Sequence, residues 1–124
     1  MTRFPISFDR PYELLSSLLL LPPANAFVEV GTEDVSVRMG WAFRSVFPRS
    51  AVASVSESVS RPISRGVHGF AGRWLVNGSG QGIVDITLVP PQRGYLMGFP
   101  IKLRQLLVSV EQPPLLIKSL SPAA

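Results

Sequence analysis

The most constraining feature of this chain is a two-residue period running from Val35 to Phe47. Val35, Val37, Met39, Trp41, Phe43 and Phe47 occupy odd positions; Ser36, Arg38, Gly40, Ala42 and Arg44 occupy even ones, and only Ser45 breaks the pattern. Successive strand side chains point to opposite faces, so this alternation predicts β-structure with one face in a core and one toward water. Thirteen residues are long for one strand, where about five or six is typical, so a bend is expected at Met39-Gly40.

The same period recurs elsewhere. Phe27–Gly31 reads as a strand followed by a turn at Thr32-Glu33-Asp34. Ala51–Ser56 reads as a weak strand of small residues, and segment 57–72, with Pro62 and three glycines, as an irregular loop of the kind that often carries function. Asn77-Gly78 between Arg73–Val76 and Ile83–Val89 predicts a hairpin. Pro90-Pro91 reads as a break, Tyr95, Met97 and Phe99 as a further alternating stretch, and Leu106, Val108 and Val110 as another.

Two segments carry a helical period. Leu14, Leu15, Leu18 and Leu19 form an apolar stripe behind a candidate cap at Asp9, stopped by Pro22-Pro23. Pro113-Pro114 opens a second helix with Leu116, Ile117 and Leu120 on one face, ended by Pro122. The first stretch is too short to span a bilayer, which takes about 20 apolar residues. Ala24-Asn25-Ala26 looks like a small-x-small cleavage site, but Asp9 and Glu13 stand where a leader is positive, so a cytoplasmic location is expected over secretion.

The expectation is one domain over residues 1–124, mainly β: a small antiparallel barrel or sandwich of six to seven strands. A helical segment over residues 1–25 precedes the barrel of residues 26–121, which the second helix caps. A barrel suits such a strand set because closure removes exposed edges. Apolar residues make up 46% and charged residues 16% of the 124, too apolar for a disordered tail. This surplus also suits self-association, which would hide apolar surface.

Cysteine is absent and His68 is the sole histidine, which argues against thiolate chemistry and an all-protein metal centre; no cofactor is expected. Catalysis by His68 with Ser79 and Asp85 lacks a nucleophile-elbow pattern, and Gly78-Ser79-Gly80-Gln81-Gly82 is followed by a β-type segment rather than the helix a phosphate loop needs, so no enzyme is expected.

Charge is unevenly distributed. Residues 1–34 hold Arg3 and Arg10 against Asp9, Glu13, Glu29, Glu33 and Asp34, a net of −3; residues 35–104 hold nine cations against Glu57 and Asp85, a net of +7. The middle segment would therefore attract an anionic partner. Arg61, Arg65, Arg73 and Arg93 are candidates to gather at one rim, with His68 and Trp74 beside them as partner-binding residues.

With these elements placed, residues 27–120 resemble a bacterial pleckstrin-homology-like domain. The resemblance rests on Val35–Gly40 as an opening strand ending in glycine, on Phe47-Pro48-Arg49 with the apolar positions after it, and on Leu107–Pro113 running into the closing helix. The strings Gly66–Phe70 and Gly72–Ser79 resemble uncharacterised actinobacterial proteins, which supply no activity. The resemblance implies a partly open barrel and a non-catalytic binding role toward a protein or a second copy. Inositide binding is not implied, because Arg38 and Arg44 alone flank the first turn. Two further readings are a carrier of a lipid or other apolar ligand, with Met39, Phe43 and Leu106 lining a cavity, and anion or nucleic-acid binding by the basic middle segment.

Overall fold

A computed structural model describes residues 2–6, 26–40, 42–58, 66–70, 72–77 and 82–121, with backbone alone for 66–70 and Asn77. Its strands are β1 (Thr2–Pro5), β2 (Ala26–Val30), β3 (Asp34–Met39), β4 (Phe43–Pro48), β5 (Val52–Glu57), β6 (Gly66–Phe70), β7 (Arg73–Asn77), β8 (Ile83–Leu96) and β9 (Phe99–Ser109); one helix, α1 (Pro113–Leu120), follows. The chain is mainly β, as its alternation predicts.

The β3–β4 pair carries that alternation into three dimensions. Gly40 takes φ 54° and the Ala42 N–H donates to the Met39 carbonyl at 3.1 Å, turning the chain at the expected place. Val35 then lies opposite Phe47 and Met39 opposite Phe43, all buried. Ser45 keeps the pattern despite its polarity: it is buried, and its hydroxyl donates to the Arg93 carbonyl at 2.7 Å. A buried hydroxyl is tolerated when it finds such a partner. Trp41 and the helix expected over Leu14–Leu21 lie outside the described residues. Ahead of that helix, Thr2–Pro5 is strand rather than part of a helical segment, paired antiparallel with β2.

Nine strands form one sheet in the order β1-β2-β3-β4-β8-β9-β7-β6, with β5 added alongside β8. The strand number exceeds the six to seven expected because β1 and β6 come from segments that read as helical and irregular. The sheet curls into a half-barrel: Ile6, just after β1, bridges Val110, just after β9, and the Glu111 N–H reaches the Pro5 carbonyl at 3.2 Å. Val28, Val37, Phe43, Ile86, Leu103, Leu106 and Val108 fill the concave side. α1 packs against β5 and β8 with Leu116 and Leu120 buried, as its apolar face requires.

Three long-range features differ from the expectation. The sheet is mixed rather than purely antiparallel, because β7 runs parallel to β9. The hairpin predicted at Asn77-Gly78 is split: β9 lies between its two arms, so Val76 and Val84 both face Val108 from opposite sides. Gly82 lets the end of β9 close onto the start of β8. It adopts φ 67°, and a Cβ there would stand 2.6 Å from the Val110 carbonyl oxygen. Pro90-Pro91, in turn, bends β8 without ending it. Between Thr87, opposite Gln105, and Gln92, opposite Leu103, four β8 residues face Arg104 alone. Prolines cannot donate to a ladder and fit such bulges. The bend lets β8 pair with β5 through Val84–Leu88 and with β4 through Gly94–Leu96. On the β7 side of β9, the Gly72 carbonyl accepts from both Arg104 and Gln105 N–H (2.8 and 3.1 Å), which bulges β9 at the same point.

Candidate anion-binding face

Pairing decides which cations meet. The β3–β4 turn sets Arg38 directly opposite Arg44, and the β8–β9 turn sets Arg93 directly opposite Lys102. All four lie on the convex face, since their chain neighbours Val37, Phe43 and Leu103 point into the core. Arg44 also pairs with Tyr95 on β8, and Tyr95 with Pro100 on β9. The two cation pairs are thus joined through adjacent strands into one surface.

Directly opposed side chains have Cβ atoms about 5 Å apart, and like charges at that spacing destabilise a sheet. Here two such pairs stand side by side. The carboxylate neighbouring this surface, Glu29, is taken by Arg3, whose Nη2 lies 2.8 Å from Glu29 Oε2 while its guanidinium covers the Phe27 ring at 3.9 Å. Arg38 Nε donates to the Gly40 carbonyl at 3.4 Å, and the Arg44 guanidinium lies 4.7 Å from the Tyr95 ring centre. Among the described residues, none of Arg38, Arg44, Arg93 and Lys102 forms an ion pair. An open depression of about 370 Å³ lies between Pro91–Arg93 and Pro100–Lys102. A guanidinium and an ammonium bordering one depression suit a phosphate, which Arg binds through its fork and Lys as a point charge.

The opposite end of the β2–β3 hairpin has the reverse sign. Glu29, Glu33 and Asp34 border a depression of about 330 Å³ there. Arg49 is committed to structure nearby, donating to the carbonyls of Gly31 (3.2 Å) and Ser119 (2.6 Å).

The residues singled out in the sequence are distributed as follows. Arg93 joins the cation surface. Arg73 is exposed on β7 opposite Gln105, on the far side of the β9 bulge from Lys102, and so is not a cross-strand neighbour of Arg93. Trp74 is half-buried and packs against the core. His68 lies on β6 opposite Leu75. Arg61 and Arg65 lie outside the described residues. Met39, Phe43 and Leu106, the expected lining of a ligand cavity, are members of the continuous core cluster. Asp85 accepts from Gln105 Nε2 at 2.8 and 2.9 Å.

Sequence reasoning passed over Lys102 and did not combine Arg38, Arg44 and Arg93. Arithmetic holds the missed signal: positions summing to 82 are partners across the first turn, and positions summing to 195 across the second.

No protein-family model, no curated protein and no solved structure matches this chain. Among the described residues, no helix is long and apolar enough to cross a membrane, and no group of His, Cys, Asp and Glu could hold a metal ion.

Proposed function

We propose that this chain is a non-catalytic binding module whose convex sheet face holds a phosphate-bearing partner. The observation that carries the reading is the pair of like-charged cross-strand pairs, Arg38–Arg44 and Arg93–Lys102, on one exposed surface. Folding gains nothing from that arrangement, whereas a bound anion relieves the repulsion and turns it into attraction. The resemblance to bacterial pleckstrin-homology-like domains agrees with a curled sheet, a closing helix and a binding role. The parallel β7–β9 pair is a departure from that family's antiparallel pattern.

The test is polyanion binding as a function of salt. Each phosphate contact contributes about −0.7 to the slope of log affinity against log salt for a flexible single strand. Four cations therefore predict a slope near −3 and a loss of about 50-fold between about 50 and 200 mM NaCl. A fluorescent oligothymidylate serves as the phosphate probe. The double variant Arg44→Glu, Lys102→Glu should lose binding and flatten the slope while melting at or above the parent temperature, because each new carboxylate faces an arginine. Equal affinity in parent and variant would remove the face from consideration.

A further inference from the structure

We infer that the phosphate-bearing partner is the surface of an anionic lipid bilayer, entered by the tip of the β8–β9 hairpin; this rests on the anion-binding reading of the convex face. The tip is built against local preference. Met97 and Gly98 form a two-residue turn with φ of 48° and 85°. Two positive φ values call for Asn-Gly or Asp-Gly, and methionine is strained in the left-handed region. A polar residue would be both better tolerated and better hydrated there. Instead Met97 is 55% exposed, and Phe99, the next side chain after the turn, is 72% exposed. An apolar pair held out in water at a strained turn is unfavourable for an isolated domain and useful for one that inserts.

The spacing of tip and cations fits an interface. Tyr95 pairs with Pro100, so Arg44 stands one residue row behind Phe99, and Lys102 lies three residues along β9. At about 3.4 Å per residue the cations sit roughly 3–10 Å behind the tip. That matches the depth to which interfacial elements bury apolar side chains while their cations stay at phosphate level. Tyr95, half-buried with a polar end, is the residue type that favours this boundary. The Met97 N–H donates to the Ala42 carbonyl at 2.9 Å, so the β3–β4 turn braces the tip from the Arg38–Arg44 side. Glu33 and Asp34 lie at the opposite end of β3, away from the bilayer.

The same features favour lipid over single-stranded nucleic acid. Base stacking needs open aromatic faces on the sheet. Among the described residues, Phe27 and Tyr95 each already carry a guanidinium, and the most exposed aromatic, Phe99, is at the hairpin tip.

Because the chain has no cysteine, Met97→Cys creates a single attachment site for an environment-sensitive dye, and Thr32→Cys at the opposite end is its control. The probes are vesicles of phosphatidylcholine alone and with about 30 mol% phosphatidylglycerol, alongside the oligothymidylate. We expect a blue shift of the Met97→Cys dye, none at Thr32→Cys, on the phosphatidylglycerol vesicles and only weakly on pure phosphatidylcholine. Phe99→Ser should lower vesicle partitioning about tenfold and leave oligothymidylate binding unchanged, since one aromatic side chain leaves the apolar phase. Oligothymidylate binding with no dye shift, or with vesicle partitioning indifferent to Phe99→Ser, overturns membrane docking and leaves the anion face standing. No binding to either probe at low salt overturns both.

Discussion

Replacing Gly82 and Gly98 by alanine, separately, tests whether the end of β9 lies against the start of β8. Both glycines have positive φ, 67° and 85°, where any L-residue with a Cβ loses roughly 1–2 kcal/mol. Their surroundings differ. Nothing lies within 4 Å of a Cβ built on Gly98, so backbone strain is the whole effect there. A Cβ on Gly82 meets the Val110 carbonyl oxygen at 2.6 Å and Pro113 Cγ at 3.3 Å. The backbone must shift, and the shift acts on the bond from the Val110 N–H to the Gly82 carbonyl, 3.0 Å long. Losing good geometry there adds about 1 kcal/mol, and strain at the junction with α1 adds about as much again. The expectation is about 1–2 kcal/mol for Gly98→Ala and about 3–4 kcal/mol for Gly82→Ala. With an unfolding entropy near 2.1 cal/mol/K per residue, each kcal/mol moves the melting temperature of this 124-residue chain by about 4 °C. Melting followed by circular dichroism should therefore fall by about 4–8 °C in one variant and about 12–16 °C in the other. Without β9 paired to the start of β8, where Ile83 faces Ser109, Gly82 would lie far from Val110 and the two losses would be equal. That result would refute the β8–β9 register at this end of the sheet.

Two further variants probe the core. Val37→Asp should abolish the cooperative melt, because the side chain is fully buried and an unpaired charge there costs several kcal/mol, whereas Ser36→Asp on the opposite face should melt within a few degrees of the parent; equal behaviour would mean that the alternation of a buried and an open face is wrong. Ser45→Ala should lower stability by about 1–2 kcal/mol in urea titrations without changing the slope, since the Arg93 carbonyl loses the hydroxyl donor in a buried setting, and an unchanged midpoint would show that water replaces it.

How much of this was legible in the sequence depends on the range of the interaction. The β3–β4 hairpin and α1 announce themselves because their periods are local: odd residues from Val35 to Phe47, and Leu116 with Leu120 behind two prolines. The β8–β9 turn was hidden because Met97 stands where asparagine would mark a turn, so Tyr95, Met97 and Phe99 read as continuous alternation. The β7–β9 pair was hidden for another reason. Asn77-Gly78 is a local signal, and nothing local says that Leu106–Val108 will enter between the arms it joins. Leu107 and Ser109 hold a partial clue: they are buried as well as Leu106 and Val108, so this stretch of β9 is covered on both faces like an interior strand. The cations follow the same rule. Arg38 and Arg44 were visible around their turn, but Arg93 and Lys102 meet only once the β8–β9 turn is fixed at Met97-Gly98.

The fold and the charged face are therefore separable in their causes. Every strand contributing to the face buries its opposite side, so Val37, Phe43, Gly94 and Leu103 would secure the sheet whatever stood at Arg38, Arg44, Arg93 and Lys102. Cross-strand stability alone would favour a carboxylate opposite each arginine. The chain has carboxylates in reach of the same strands, yet Glu33 and Asp34 stand at the other end of β3 and Glu29 is held by Arg3. Positive charge thus collects beside the strained, apolar hairpin tip and negative charge collects opposite. Charge and turn chemistry both oppose folding preference at one end of one sheet, and the proposed binding role accounts for both departures together.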